Sequence, residues 1–163
     1  MSMKGKYEFF WTHMSPFSNW YQCYFEMDGL EFNCAEQAMM YRKAMLFSDN
    51  EIAEKVMESN DPWEQKKLGR EVKGFIQEKW EAEREGIMFD ILFAKFSQNE
   101  MLNESLLKTK DRILVEASPH DRIWGIGLSE GDPRAMDESQ WRGLNLLGKT
   151  LNRVRESLVA LHA

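Results

Sequence analysis

The chain has 163 residues, a length typical of one domain with its own hydrophobic core. Its net charge of -6 and its pI of about 5.2 argue against a protein that follows a nucleic-acid backbone, because phosphate binding requires a basic surface. No apolar run is long enough to cross a bilayer, so we expect an ordinary globular protein.

Signals for export, disulfides and metals are weak in this sequence. The first ten residues contain no apolar segment like that of a signal peptide, so we expect a cytoplasmic protein. Two cysteines, Cys23 and Cys34, are too few for a disulfide framework, and no His or further Cys lies near them at zinc-ligand spacing. We therefore expect neither a metal site nor a cofactor.

A hairpin and a helix are predicted for the first third of the chain. Asp28-Gly29 separates two short apolar segments, 24–27 and 30–32, and both turn residues tolerate positive φ. The segment from Asn33 to Glu36 has the spacing of a capping box, so we expect it to start a helix that ends near Phe47.

The rest of the chain is predicted to be mainly helical. Apolar residues at three- and four-residue steps indicate a longest helix within 75–98 and a last helix along the positions from Leu144 to Leu158. Shorter helices are predicted at about 50–58, from Asp61 onward and at about 100–107, with Ser48 as the N-cap of the first of them. A buried strand is predicted at 113–115. The predicted fold class is mainly α, an α+β single domain over residues 1–163 with a small β-hairpin and short strands.

One face of the first predicted helix carries two charged residues. Glu36 and Lys43 share this face with Met40 and Phe47. A charge on an apolar stripe is costly unless it is paired or functional, which makes the pair a candidate catalytic site. In the alternative interpretation, Glu36 closes the capping box and Lys43 faces water.

The densest polar segment runs from Glu116 to Gly127, directly after the predicted strand. Glu116 and Asp121 have the chemistry of an acid, a base or an acceptor for ribose hydroxyls, and Trp124 can stack on a planar base. The glycines that begin at Gly125 do not match the dinucleotide fingerprint, which argues against a Rossmann fold. The alternative is a polar turn anchored by the tryptophan.

Two further places are candidates for substrate binding. Trp80 and Arg84 lie one helical turn apart, and an arginine beside a tryptophan suits a phosphate next to a stacked ring. A core tryptophan with a surface arginine is the alternative. Asn19 lies in a loop where its amide can bind a hydroxyl group.

An ordered set of short motifs spans the chain from about residue 7 to 156. In chain order they are Phe17 to Trp20, Ala35 to Ala44, Leu68 to Val72, Trp80 with Arg84 and Met88, Lys95 to Asn99, Glu116 to Pro119 with Asp121, Trp124 to Gly127, Asn145 to Gly148, and Val154-Arg155. Each motif is unspecific alone, but in this order and spacing they resemble the YbiA-like family, also called NADAR.

The resemblance implies an N-glycosidase that hydrolyses the C1'–N bond between ribose and a heterocyclic base. Members of the family are linked to ribosylaminopyrimidine 5'-phosphates, intermediates of riboflavin biosynthesis, and others to the removal of ADP-ribose from modified guanine. We expect a compact protein without an appended domain, which favours the riboflavin intermediates. A non-catalytic module that binds ADP-ribose or another nucleotide is a further alternative. We expect a small phosphorylated N-riboside as partner, no membrane and no extended nucleic acid; the oligomeric state stays open.

Carried over residue by residue, the family pattern points to Glu36, Lys43, Trp80 and the loop from Asp121 to Trp124. In the mechanism that we expect, Met40 and Phe47 exclude water from Lys43 and so lower its pKa. Lys43 attacks C1' and forms a Schiff base with the ring-opened sugar, while Glu36 shuttles protons. Asp121 holds or deprotonates the ribose hydroxyls; direct attack by water with Glu36 as base is the alternative. The predicted substrate-binding residues are Asn19, Arg70, Trp80, Arg84, Glu116, Trp124 and Gly125.

Overall fold

Residues 3–162 are described by the computed structural model, and they form six α-helices and four short strands. The helices are α1 (Ala35–Leu46), α2 (Asn50–Glu58), α3 (Pro62–Gly69), α4 (Gln77–Gln98), α5 (Glu100–Leu107) and α6 (Leu146–Leu161). The strands are β1 (Tyr7–Phe10), β2 (Phe25–Met27), β3 (Leu30–Phe32) and β4 (Ile113–Glu116). The predicted mainly helical fold class is therefore confirmed.

The predicted single domain, 1–163, includes residues 1, 2 and 163, which lie outside the described part of the chain. Within the described part, no helix combines the length and the apolar character that crossing a membrane requires. Cys23 and Cys34 are both free thiols, in agreement with the expectation that they form no disulfide framework.

The predicted hairpin is present. Strands β2 and β3 pair antiparallel, with Phe25 opposite Phe32, and their two-residue turn has φ of 51° at Asp28 and 80° at Gly29. Two positive φ values in succession give a turn whose twist matches that of the flanking strands. The turn chemistry of the sequence therefore determined this element.

A parallel pair of strands was not predicted. Strand β1 lies beside β4 with Phe10 opposite Glu116, and the backbone N–H of Ala117 donates to the carbonyl of Phe10 at 2.9 Å. Strand β1 has only four residues and its partner lies more than a hundred residues away, so no local pattern signals it. The pairing fixes the C-terminal end of β4, where Glu116 lies.

Helix α1 packs against α2, α3 and α4, and every residue from Ala35 to Met40 is buried. The predicted capping box at its start is wrong. The N-cap is Cys34, and Gln37 rather than Glu36 reaches back, its Oε1 accepting from the backbone N–H of Asn33 at 2.7 Å. The side chain that reaches back to Asn33 is thus one residue later than predicted, and Glu36 accepts from the indole of Trp20 instead.

The N-cap of α2 also differs from the prediction. Asp49, not Ser48, accepts a hydrogen bond from the backbone N–H of Ile52 at 3.1 Å, and Ser48 has a φ of 58°. The prediction for α3 is confirmed, since Asp61 caps that helix and Pro62 is its first residue. A serine and an aspartate next to each other offer two possible caps, and the spacing alone did not distinguish them.

A buried amide network holds the start of α1 to α2 and α3. The amide nitrogen of Gln65 donates to the carbonyl of Ser59 at 2.8 Å and to the side-chain oxygen of Asn33 at 3.1 Å. Gln37 donates to the carbonyl of Val56 at 3.2 Å. Because buried amides are costly to leave unpaired, this network fixes the position of the first turn of α1.

Helix α6 fixes β4 from the other side. Asn145, with a φ of 52°, donates to the carbonyl of Leu114 at 3.0 Å and accepts from the backbone N–H of Glu116 at 3.0 Å. Gly148 lies one turn further along the helix, where a Cβ would collide with the carbonyl oxygen of Leu114. The absence of a side chain at Gly148 therefore permits the close approach of α6 to β4.

This close approach predicts opposite effects for two helix glycines. We expect Gly148→Ala to lower the free energy of unfolding by about 2 kcal/mol or more, because its Cβ overpacks against β4. Gly86→Ala, at an exposed position of α4 with no neighbour in contact, is expected to raise it by about 0.5–1 kcal/mol. Urea denaturation of both variants checks this, and equal effects of the two substitutions would contradict the packing.

Candidate active site

Glu36 is the second residue of α1, and only 4% of it is exposed. Its backbone N–H donates to the carbonyl of Asn19 at 2.9 Å, and the indole N–H of Trp20 donates to its Oε1 at 3.3 Å. Its Oε2 is buried and has no hydrogen-bond partner among the described residues. Burial raises the pKa of Glu36 to about 7, against the lowering effects of Trp20 and Lys66. The group therefore changes protonation near neutral pH, as an acid–base catalyst requires.

Lys43 follows two turns later on α1 and is half-buried. Its Nζ lies 4.8 Å from the ring centre of Phe75 and 5.7 Å from that of Trp80. Burial lowers the pKa of Lys43, and the charge of Arg70 lowers it further, whereas Glu36 raises it. The lower pKa increases the neutral fraction of the amine, which is the nucleophilic form.

The apolar surroundings of Lys43 differ from those expected. We predicted Met40 and Phe47 to exclude water from the amine, but the rings nearest to it are those of Phe75 and Trp80. The ring of Phe47 lies 5.3 Å from that of Phe75 and supports it. Phe75 lies before the start of α4, so the spacing on α1 gave no information about it.

Glu116, at the end of β4, is a second carboxyl group in the same surroundings. Its Oε2 is buried and has no hydrogen-bond partner among the described residues. Burial raises its pKa to about 8, and the charges of Asp121 and Glu36 raise it as well. Three carboxyl groups therefore lie close enough to influence one another, although 80 residues separate Glu36 from Glu116.

Asp121 shapes the loop that follows β4. Its Oδ1 accepts from the backbone N–H groups of Ile123 and Trp124, both at 2.9 Å, and its carbonyl accepts from the N–H of Gly127 at 3.1 Å. The loop is thereby closed on itself. Asp121 is half-buried beside Glu116, so a structural role and contact with substrate are compatible.

Trp124 and Gly125 pack this loop against the core and against β4. Trp124 is 9% exposed and belongs to the main hydrophobic core, which corresponds to the anchoring alternative in the sequence analysis. At Gly125 a Cβ would lie 3.0 Å from the carbonyl oxygens of both Glu116 and Asp121. The loop can approach β4 this closely only because residue 125 has no side chain.

Arg84 is buried, so the alternative of a surface arginine is excluded. It is 8% exposed, as is Trp80, and its Nε is buried with no hydrogen-bond partner in residues 3–162. A buried guanidinium N–H without a partner is costly and is suited to an anionic ligand. Arg70 is exposed at the end of α3, and its charge acts on Lys43.

Asn19 and two residues absent from the sequence prediction complete the site. Asn19 is 7% exposed, and its Oδ1 is buried with no partner in the described part of the chain. Lys66, half-buried on α3, lowers the pKa of both Glu36 and Glu116. Neither Lys66 nor Trp20 lies at a spacing that signals a site; both join it through tertiary packing.

A cleft of about 480 Å³ opens beside Trp20. Trp20, one of its lining residues, also donates its indole N–H to Glu36, but Glu36 itself does not line the cleft. Its lining residues are His13, Trp20, Gln22, Asn60, Asp61 and Pro62. Another cleft, of about 440 Å³, is lined mainly by charged residues of α2, of α3 and of the segment after α3, and neither cleft is lined by a predicted site residue. Among residues 3–162, no three His, Cys, Asp or Glu side chains form a group that could hold a metal ion.

Comparison with known proteins assigns the chain to a family. The NADAR domain model matches residues 9–159, nearly the whole chain. The chain therefore belongs to the NADAR domain family, as its motifs implied.

Individual relatives are similar to this chain over most of its length. Protein irg-1 of Caenorhabditis elegans is 44% identical over 131 residues, 79% of this chain, which spans 62% of that relative's length. An N-glycosidase of Acanthamoeba polyphaga mimivirus is 41% identical over 145 residues, 86% of this chain and 85% of the relative. The NMR structure of Escherichia coli YbiA aligns with a TM-score of 0.78 and 25% identity, covering 99% of this chain and 95% of that one.

The names of two relatives bear on activity. Escherichia coli YbiA is named an N-glycosidase and is 30% identical over 142 residues, 87% of this chain and 80% of its own. A longer protein of Vibrio vulnificus, named a riboflavin biosynthesis protein, is 33% identical over 141 residues, 86% of this chain but 35% of that protein.

The buried carboxyl groups predict a pH-dependent stability. Folded Glu116 keeps its proton up to about pH 8, whereas the unfolded chain releases it near 4.5, and Glu36 behaves alike up to about pH 7. Between about pH 4.5 and pH 8 the folded state therefore binds more protons than the unfolded chain, and the free energy of unfolding falls as pH rises through this range. Glu116→Gln should reduce this fall by more than about 1 kcal/mol between pH 5 and 8.

Urea denaturation at several pH values measures the effect. Glu54→Gln, at an exposed position of α2, is the matched control and should keep the pH dependence of the wild type. An unchanged dependence in Glu116→Gln would contradict the burial of this carboxyl group.

Proposed function

We propose that the chain hydrolyses the C1'–N bond of a ribosylaminopyrimidine 5'-phosphate, an intermediate of riboflavin biosynthesis. The chain is an N-glycosidase, since it belongs to the NADAR domain family and its relatives include proteins of that name. The name of the Vibrio vulnificus relative supports the substrate. The observation that carries the mechanism is the juxtaposition, on α1, of buried Glu36 with a free oxygen and Lys43 with a lowered pKa.

In the first step, the neutral amine of Lys43 attacks C1' of the ribose. The Nζ–C1' bond forms, the bond from C1' to the base nitrogen breaks, and that nitrogen takes up a proton. Nζ then loses a proton, the bond between C1' and the ring oxygen breaks as that oxygen takes up a proton, and a C1'=Nζ bond forms, which gives a protonated imine. Water then adds to C1', the C1'–Nζ bond breaks, and ribose 5-phosphate leaves. The net reaction consumes one water and restores Lys43.

The two buried carboxyl groups provide the protons. Glu116, whose pKa is about 8, is mainly protonated at neutral pH and is suited to donate to the leaving base. Glu36, whose pKa is about 7, is partly ionised and is suited to accept the proton from Lys43. Two carboxyl groups with separated pKa values divide the acid and base roles. In the alternative without a covalent intermediate, Glu36 activates a water molecule instead.

Five further residues are the proposed binding groups for the substrate. Arg84 has a buried, unpartnered Nε for the phosphate, and Arg70 carries a second positive charge near Lys43. Asp121 lies beside Glu116 and can accept from ribose hydroxyls. Trp80, against which Lys43 packs, provides an aromatic wall, and the buried Oδ1 of Asn19 provides a further acceptor.

A second candidate substrate is ADP-ribose attached to a modified guanine. The observation that favours it is an aromatic surface beside the cleft. Trp63 is 61% exposed, and its ring lies 6.0 Å from that of Trp20 in an edge-on arrangement, which provides a stacking surface for a second base. A non-catalytic binding module is less well supported, because a sensor has no need for a buried Glu36 near Lys43.

Two variants on α1 test the activity. The wild type should release ribose 5-phosphate from the diaminopyrimidine intermediate, and Glu36→Gln and Lys43→Ala should each be at least about a hundredfold slower. Lys55→Ala, at an exposed position of α2, should keep full activity. Release from ADP-ribosylated guanine alone would favour the second substrate, and release from neither would contradict the proposed N-glycosidase activity.

Reductive trapping tests the covalent step. Sodium borohydride added during turnover reduces an imine to a stable amine, so we expect a sugar phosphate adduct on Lys43 that peptide mass spectrometry locates. Lys43→Ala should carry none. An active wild type without an adduct would contradict the Schiff base and favour attack by water with Glu36 as base.

A further inference from the structure

Lys95, on α4, is a fully buried cation outside the mechanism above. Its exposed fraction is 0%, and among the described residues no carboxylate pairs with it. Its Nζ donates to the carbonyl of Ser18 at 3.0 Å and lies 5.0 Å and 5.8 Å from the ring centres of Phe96 and Tyr21. Burial of an ammonium group on one hydrogen bond is costly, so the contact with Ser18 requires an explanation.

The groups around Lys95 do not neutralise it. Cys23 and Cys34 are the titratable side chains whose charge would favour the ammonium form, but burial raises the pKa of both thiols, that of Cys34 to about 12. Both thiols are therefore protonated at neutral pH. Lys95 has no exposed surface, and its hydrogen bond to the carbonyl of Ser18 is the contact through which it can act on the site.

Ser18 begins the segment that contacts Glu36. The backbone N–H of Trp20 donates to the hydroxyl of Ser18 at 3.1 Å, and the N–H of Tyr21 donates to its carbonyl at 3.2 Å. The carbonyl of Asn19 accepts from the N–H of Glu36, and the indole of Trp20 donates to its carboxyl group. The backbone of residues 18–20, with a hydrogen bond to Lys95 at one end and hydrogen bonds to Glu36 at the other, thus connects the two residues.

We propose that Lys95 is a positioning residue that, through the carbonyl of Ser18, holds Asn19 and Trp20 against Glu36. The proposal deepens the proposed function, because Glu36 is the acid–base group of that mechanism. Without Lys95 the Ser18 carbonyl keeps the N–H of Tyr21 but loses its charged donor, the segment shifts, and the indole no longer reaches Oε1. Glu36 then loses the hydrogen bond that favours its ionised form.

The first measurement is a titration that needs no substrate. The ¹³C resonance of the Glu36 carboxyl group reports its ionisation, and its midpoint in the wild type should lie near pH 7. In Lys95→Met and in Trp20→Phe this midpoint should rise by about one pH unit. The neighbouring groups Lys43, Lys66, Glu116 and Asp121 are the same in every variant.

Activity provides a second readout. The acid limb of the kcat/KM profile should move upward in Lys95→Met and in Trp20→Phe by the same amount, with kcat about tenfold lower and KM within about twofold. The double variant should shift no further than either single one, because both remove the same contact. Lys95→Arg keeps a charged donor and should return the midpoint toward that of the wild type.

A matched control separates positioning from stability. Arg155 on α6 is also a buried cation, and it donates to Thr109 at 2.7 Å and to the carbonyl of Arg112 at 2.8 Å. Arg155→Met should lower the free energy of unfolding while leaving the midpoint of Glu36 unchanged. A folded Lys95→Met with an unchanged midpoint would overturn the proposal and leave Lys95 a structural residue.

Two outcomes need separate treatment. If Lys95→Met does not fold, Lys95→Gln in a Gly86→Ala background replaces it; this shorter side chain does not reach Ser18, so the same shift is expected and its absence overturns the proposal. If the wild type releases no sugar, the proposed substrate fails, while the titration of the Glu36 carboxyl group still decides the role of Lys95.

Discussion

The removal of water from Glu36 is the constraint on which the rest of the site depends. A carboxylate at the start of a helix is ordinarily favoured by the helix dipole and by solvent. Here the amide network of Asn33, Gln37 and Gln65 holds the first turn of α1 against α2 and α3, so the side chain enters the interior with one indole N–H as its partner. Desolvation exceeds the opposing effects, and the pKa rises to about 7.

The other carboxyl group, that of Glu116, is positioned by different elements. Strand β1 and Asn145 hold β4 from two sides, and the loop after β4 folds back onto it at Gly125. Glu116 is therefore presented by backbone pairing, whereas Glu36 is presented by a helix. The charge of Glu36 raises the pKa of Glu116, and the charge of Asp121 raises the pKa of both, because negative charges in a region without water repel strongly.

Sequence periodicity predicted what one element determines by itself. Glu36 and Lys43 share a helix face, and the turn at Asp28 follows from residues that tolerate positive φ. The capping box failed because Gln37, one residue later, was the better partner for the backbone of Asn33. Strand β1 was missed because its partner is remote in sequence, and Lys66 acts on the carboxyl groups only because α3 packs on α1. Which residues are buried together depends on tertiary packing, which no local pattern contains.

Burial brings the pKa values of the acid and the amine of α1 closer together. The pKa of Glu36 rises and that of Lys43 falls, because a region of low dielectric constant favours the uncharged form of both. The difference between their proton affinities is therefore much smaller than in water. An imine mechanism requires an amine that loses its proton before attack and regains it on release, with a nearby group that accepts and returns it. A single physical cause, the exclusion of water around α1, thus adjusts both groups for the same cycle.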